Sequence, residues 1–415
     1  MLSLMVVAAA AAQLQTVTLD DAVRTALSQH PELRMAAAGV EVARTRVRSV
    51  RAGLFPTLGL SARYGLSAGP EAPGGTFWTA DGAQSYSAGL SGSLLLWDFG
   101  RIRDRAEAAE AGVEVELRSR DATTRGIVLE VELGYYEALG RRRLAQVAAE
   151  TLASEERHLA EIEQLVAVGA RPPIDLARAR TTVASARSQV VSADNAYALA
   201  RAGLASAMGV GGSDFEVAEV TAPALAGESD ATARMLTVAL ERRPELAGLR
   251  ASMQAQRLTI RQAEHALYPT LRLGADTSYG GSKFEEPRWG ASIGLTLSWT
   301  LYDGGAAAAS ASAERLSLIV LDAQQEALRR SVELQLTQAR LEVSSAKAAA
   351  LAAAEQTAAA TELLRLAEER YRAGVGNVIE LGDAQVAASS AAAGEVAAAV
   401  QLSSARARLK WALGL

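Results

Sequence analysis

The sequence predicts a mainly α-helical fold with a membrane β part, assembled from two copies of one unit. Three observations predict it. First, landmarks recur in order: Gly169, Ile174, Asp175, Leu176 and Ala179 are matched by Gly374, Ile379, Glu380, Leu381 and Ala384, each 205 residues later. Second, four short stretches alternate apolar with small polar residues at the period of a strand. Third, the stretches 100–167 and 306–372 carry a helical apolar pattern without a proline. At 1.5 Å per residue each such helix is about 100 Å long, far beyond a globular domain. Self-similarity of this kind makes the chain one duplicated body rather than two or three independent domains.

Composition narrows the function. A net charge of −5 gives no case for nucleic acid as a partner. The chain has no cysteine, so it has no disulfide, no thiolate metal site, no thiol nucleophile and no cysteine-borne lipid anchor. Alanine is abundant and aromatics make up only 5%, which favours long helices packed closely through small side chains.

In chain order, residues 1–12 are an apolar run ending in Ala10-Ala11-Ala12, too short to span a bilayer and similar to a signal peptide. The first repeat is expected at 13–210. Thr18-Leu19-Asp20-Asp21 opens a helix, with Val23, Leu27, Val40, Val47 and Leu54 as its apolar stripe, broken near Pro31. Strands follow at 57–64 and 86–97: Leu58, Leu60, Ala62 and Tyr64 alternate with Thr57, Gly59, Ser61 and Arg63, and Tyr86, Ala88, Leu90, Leu94 and Leu96 share the partner's apolar face. A long helix is expected at 100–167, a tip at 168–174, where Pro172-Pro173 stiffens the turn, and a return helix at 175–208. After a linker at 211–231, in which Phe215–Val220 adds one short strand, the second repeat occupies 232–415. Its helix starts near Met235, its strands lie at 271–279 and 291–301, its long helix at 306–372, its tip at 373–379 and its return helix at 380–413. Pro31-Glu32-Leu33 and Phe55-Pro56-Thr57-Leu58 have their twins at Pro244-Glu245-Leu246 and Tyr268-Pro269-Thr270-Leu271.

The strand alternation fits a membrane barrel with lipid outside and water inside. It also fits a soluble hairpin with one face on a core. Four strands leave open edges that lipid does not tolerate, so a membrane sheet needs further copies. Two copies give eight strands, whose side chains fill the interior, and three give twelve, enough to leave a lumen.

Taken together, VTLDDAVRTALSQHPELR at 17–34, the FPTL and YPTL strand starts, LYDGG at 301–305 and the two tips resemble the TolC-like outer membrane efflux protein family. The resemblance covers nearly all of the chain after residue 12. It implies a homotrimer in the outer membrane of a Gram-negative bacterium, with four strands per chain in a shared twelve-stranded β-barrel and a long α-helical barrel in the periplasm. It also implies docking of the tips, at Gly169, Ala170, Gly374, Val375 and Gly376, to a periplasmic adaptor protein and an inner-membrane pump. The implied function is the exit duct of a tripartite efflux or type I secretion system, without catalysis or cofactor. The chain departs from the family at Leu95-Leu96 and Trp299-Thr300, where a proline is common.

At the tips, Glu380 and Asp383 stand three apart at a helix start and share one face. Acids are common in any first helical turn, where they offset the dipole. The resemblance instead assigns them to a carboxylate ring at the closed periplasmic entrance. It assigns Tyr371 and Asp175 to a latch on the closed tip, and places the latch arginine at Gly376. Enzyme chemistry has no carrier: His30, His158 and His265 share no metal-ligand spacing, and Walker, Gly-x-Ser-x-Gly and HExxH motifs are absent. His158 reads as an exposed helix residue, and Gly211-Gly212-Ser213 as a turn. The competing function is a soluble coiled-coil structural or filament protein, which accounts for the helices but not for four two-faced strands.

Overall fold

The computed structural model describes residues 15–67, 83–228, 230, 232–282 and 286–415. The apolar start at 1–12 and the turn-rich stretch from Gly69 to Gly82 lie outside the described residues. The first series of elements is β1 (Gln15–Val17), α1 (Leu19–Gln29), α2 (Pro31–Ala52), β2 (Thr57–Ser67), β3 (Ala83–Trp97), α3 (Arg101–Ala167) and α4 (Pro173–Ala207). After β4 (Phe215–Val217) come α5 (Thr232–Arg242), α6 (Pro244–Glu264), β5 (Thr270–Gly281), β6 (Arg288–Ser298), α7 (Ala306–Arg372) and α8 (Val378–Ala412). Helices α3 and α7 have 67 residues each, and α4 and α8 have 35 each.

Local chemistry sets the boundaries. Thr18 caps α1 in a reciprocal box: its hydroxyl accepts from the Asp21 N–H, and the Asp21 carboxylate accepts from the Thr18 N–H. Pro31 and Pro244 open α2 and α6, where a missing N–H costs nothing. The corners from sheet to long helix are built alike. Asp98 accepts from the N–H groups of Gly100 (3.0 Å) and Ile102 (2.8 Å), and Asp303 from those of Gly305 (2.9 Å) and Ala307 (2.7 Å). One corner is strained. Phe99 holds φ 55° where its counterpart Gly304 holds 72°, and its ring meets Trp97 and Tyr268 edge-on at 5.9 and 5.1 Å. Both return helices end in a left-handed glycine pressed on the preceding proline kink. A Cβ on Gly209 would fall 2.8 Å from the His30 Cα, and one on Gly414 would fall 3.2 Å from the Arg242 carbonyl carbon.

The four-stranded sheet has the order β2-β3-β5-β6, with every neighbouring pair antiparallel. One face carries Leu58, Leu60, Leu90, Leu94, Leu273, Ile293 and Leu295; the other is largely Ser, Gly and Thr. Two expectations change here. A bulge between Leu95 and Trp97 shifts the register, so Trp97 rather than Leu96 pairs with Leu271 on the apolar face. Strand β6 ends at Ser298, not 301, because β5, its one neighbour among the described residues, begins at Thr270, just after Pro269, and offers no ladder partner to Trp299 and Leu301. Among the described residues no helix is long and apolar enough to cross a membrane.

The chain clusters into two compact units that cut across the expected halves. One takes Met1–Ala37, Arg120–Pro244 and Leu328–Leu415; the other takes Ala38–Ser119 and Glu245–Ala327 and holds the sheet. The largest apolar cluster of the first unit surrounds Tyr135 and includes Ala22, Ala26, Val131, Leu204 and Phe215. Strand β4 joins it by pairing in parallel with β1, a partner the linker reading did not supply. The Tyr135 hydroxyl reaches the carbonyls of Ala218 (2.8 Å) and Val17 (3.1 Å), tying that two-stranded sheet to α3. Burial pushes its pKa up to about 12. Tyr135→Phe takes the hydroxyl donor from the Ala218 carbonyl, while the Val17 carbonyl keeps the Ala218 N–H, and should cost about 1–2 kcal/mol, read as a lower thermal midpoint with unchanged helix content by circular dichroism.

Candidate functional site

Both tips follow from the same backbone chemistry. Each long helix ends in a left-handed glycine, Gly169 at φ 75° and Gly374 at φ 77°. In the first tip Gly169 N–H bonds to Val166 O and Ala170 N–H to Leu165 O; in the second Gly374 N–H bonds to Tyr371 O and Val375 N–H to Arg370 O. These are helix-ending turns of the Schellman kind. Pro172 then caps α4 and Asn377 caps α8, the latter accepting the Glu380 N–H at 2.8 Å. Ala170 and Val375 stand exposed beside their glycines.

The two acids of the second tip differ. Glu380 accepts from Arg370 Nε at 2.9 Å, so its charge is offset within its own hairpin. Asp383 is exposed and has no ion pair among the described residues. The expected pair therefore splits into one neutralised and one free carboxylate.

Tyr371 and Asp175 are both buried, at 4% and 6% exposure. Among the described residues, however, the Tyr371 hydroxyl has no hydrogen-bond partner, Asp175 included. The tyrosine is held by a cation instead. Arg171, from the first tip, places its guanidinium 4.4 Å from the centre of the Tyr371 ring and donates to the Tyr371 carbonyl at 3.3 Å. Gly376, where the resemblance placed an arginine, is tight for a side chain: a Cβ there would fall 3.0 Å from Tyr371 N and 3.1 Å from the Arg370 carbonyl carbon. A cation thus does meet the tyrosine, but from the opposite tip. The sequence held a signal for it, since Arg171 lies inside the first tip motif.

His158 also departs from expectation. Its ring meets Tyr371 edge-on at 5.4 Å, between α3 and α7, and is half-buried rather than exposed. Beside it lies a cavity of about 90 Å³ lined by Glu161, Glu368, Tyr371 and Gln385. Burial lowers the His158 pKa, with Glu161 and Glu368 opposing and Arg372 assisting. Burial raises that of Tyr371, against the pull of Arg171. Leu381, Ala384 and Ala367 close the apolar side of the tyrosine. Among the described residues no group of three or more His, Asp or Glu is placed to hold a metal ion.

The family model for outer membrane efflux proteins matches residues 22–210 and 235–415. The chain belongs to that family. It is an outer-membrane efflux channel of a Gram-negative bacterium with its helical part in the periplasm, and the soluble filament reading falls away. The family is one of transport proteins. Among curated relatives, protein CyaE of Bordetella pertussis is 27% identical over 90% of this chain and 79% of its own length. The outer membrane protein OprJ of Pseudomonas aeruginosa is 26% identical over 94% and 82%. The solved structure of the outer membrane protein VceC of Vibrio cholerae superposes with a TM-score of 0.79, covering 95% of this chain and 96% of that one at 18% identity, a likeness of fold.

The tip should be sensitive to acid. The folded pKa of His158 lies below the ordinary value of 6.5. Its contribution to stability is therefore fully present above about pH 6.5 and is lost as pH falls through the folded value. Amide-exchange protection at 165–175 and 370–381, taken relative to the intrinsic rate at each pH, should fall on acidification in the native chain, and less so in His158→Phe.

Proposed function

We propose that three copies of this chain close a twelve-stranded β-barrel and a helical barrel, forming a passive exit duct that is gated at its periplasmic tips. The observation that carries the reading is the sheet: one apolar face, one small polar face, and open edges on β2 and β6. Further copies satisfy those edges, and lipid and water suit the two faces. Equal lengths in the paired long helices and paired return helices support an internal two-fold repeat, with a signal peptide at 1–12, repeats at 13–210 and 232–415 and a linker at 211–231. The duct serves a tripartite efflux or type I secretion system, needs no catalysis or cofactor, and meets a periplasmic adaptor and an inner-membrane pump through Gly169, Ala170, Gly374, Val375 and Gly376.

At the gate, Asp383 supplies the free charge of an acidic ring and Glu380 adds a carboxylate already balanced by Arg370. Tyr371 latches the closed tip through Arg171, with Asp175 buried nearby. In planar bilayers Asp383→Asn should reduce cation preference and divalent block more than Glu380→Gln does. If the Glu380→Ala, Asp383→Ala double variant keeps both properties, the ring reading is wrong. Arg171→Ala should weaken the closed tip by about 1–2 kcal/mol and raise conductance, whereas Tyr371→Phe should change it little. Cysteines at Ala170 and Val375 should crosslink to an adaptor in cells; labelling only near the sheet would reject the docking. In the barrel, Leu295→Arg should cost about 2–4 kcal/mol at mid-membrane depth and lower the yield of heat-modifiable trimer.

A further inference from the structure

The polar face of the sheet is interrupted by four charges: Arg63 on β2, Arg272 and Asp276 on β5, and Arg288 on β6. Two of them stand in one register row. Arg63 pairs with Ser87, Ser87 with Gly280 and Gly280 with Arg288. The two arginines therefore sit on the two edge strands of the sheet, separated by residues too small to cover them. Both are exposed, and neither has an ion pair among the described residues. The apolar face behind this row carries Tyr64, Tyr86, Tyr279 and Trp289, an aromatic band of the kind that marks a membrane interface. The row lies toward the loop ends of the strands, away from the helices that follow β3 and β6.

We propose that Arg63 and Arg288 form an anion-binding band inside the outer mouth of the duct, which takes multivalent anions of the phosphate type. The proposal rests on the barrel reading above. Three copies place six guanidinium groups in the lumen, and closure brings the β6 edge of one copy to the β2 edge of the next. Rows climb around a tilted barrel, so the six occupy a band rather than one plane. Twelve strands about 4.8 Å apart and tilted near 40° give a backbone diameter of roughly 25 Å. Extended arginines narrow that opening to little more than the Debye length of about 8 Å in physiological salt, so their field persists at the axis. The planar guanidinium fork matches phosphate oxygens in pairs, and a bridging anion relieves the like-charge meeting of the two edges.

The test uses the full-length protein in planar bilayers of zwitterionic lipid, with inorganic tripolyphosphate as the probe. Added to one chamber and then the other, tripolyphosphate should lower wild-type conductance from one side only. The Arg63→Gln, Arg288→Gln variant should need at least tenfold more, and Arg63→Lys, Arg288→Lys, which keeps the charge but loses the fork, should fall between. The Glu380→Ala, Asp383→Ala variant should retain the wild-type block. Equal block in wild type and the double glutamine variant overturns the proposal. So does absence of block in wild type. A separate measurement isolates the barrel reading. In this cysteine-free chain, a membrane-impermeant thiol reagent should label Ser61→Cys on the polar face and spare Leu60→Cys on the apolar face. The reverse pattern rejects the barrel reading itself; the expected pattern without block rejects only the anion site.

Discussion

Two unpaired strand edges govern this structure. Among the described residues, strands β2 and β6 each have a neighbour on one side only. In water an open edge is a liability; in hydrocarbon each unpaired N–H or C=O costs several kcal/mol, and an edge of 11 residues carries several of them. No described helix is long and apolar enough to cross a membrane. In the trimer proposed above, the edges of one copy are closed by the edges of the next, and that reading needs the four strands held in a form that copies can complete.

The corners illustrate how. Asp98 and Asp303 each bind the first free N–H groups of a 67-residue helix, so strand direction and helix start are fixed by the same carboxylate. The second corner turns on two glycines. The first turns on Phe99 and Gly100, and the phenylalanine sits in a backbone region that costs about 1–2 kcal/mol. Its contacts with Trp97 and Tyr268 offset that strain at the level where the sheet gives way to helix. At the opposite ends of the long helices the same economy recurs: a left-handed glycine, a cap, and one side chain from the other hairpin.

Much of this was legible in the sequence. Periodicity switches from 3.6 to 2 after Pro56 and Pro269, and the long helices lack any proline, so element type and order could be read directly. What could not be read depends on contacts between distant segments. Strand β1 has three residues and exists because β4 pairs with it. The bulge at Leu95 and the end of β6 at Ser298 are set by neighbouring strands, not by their own alternation. The tip held the same lesson. His158 looks like a solvent-facing residue on a polar helix until α7 brings Tyr371 against it. Arg171 was visible beside Pro172, but only the meeting of the two tips puts it over that ring.

The glycine-on-kink contact has a consequence in time. Gly209 rests on His30, so the start and end of the first series already touch when residue 209 has been made. Most of the cluster around Tyr135 is drawn from residues before 223, and α8 adds Ala407 and Val400 later. Strand β3, by contrast, cannot complete its ladder until β5 has emerged. Synthesis and export deliver the chain from its N-terminus, so the partners of this helical core are largely present before β5 can complete the ladder of β3, and α8 seals the core only after the sheet's last strand has been made.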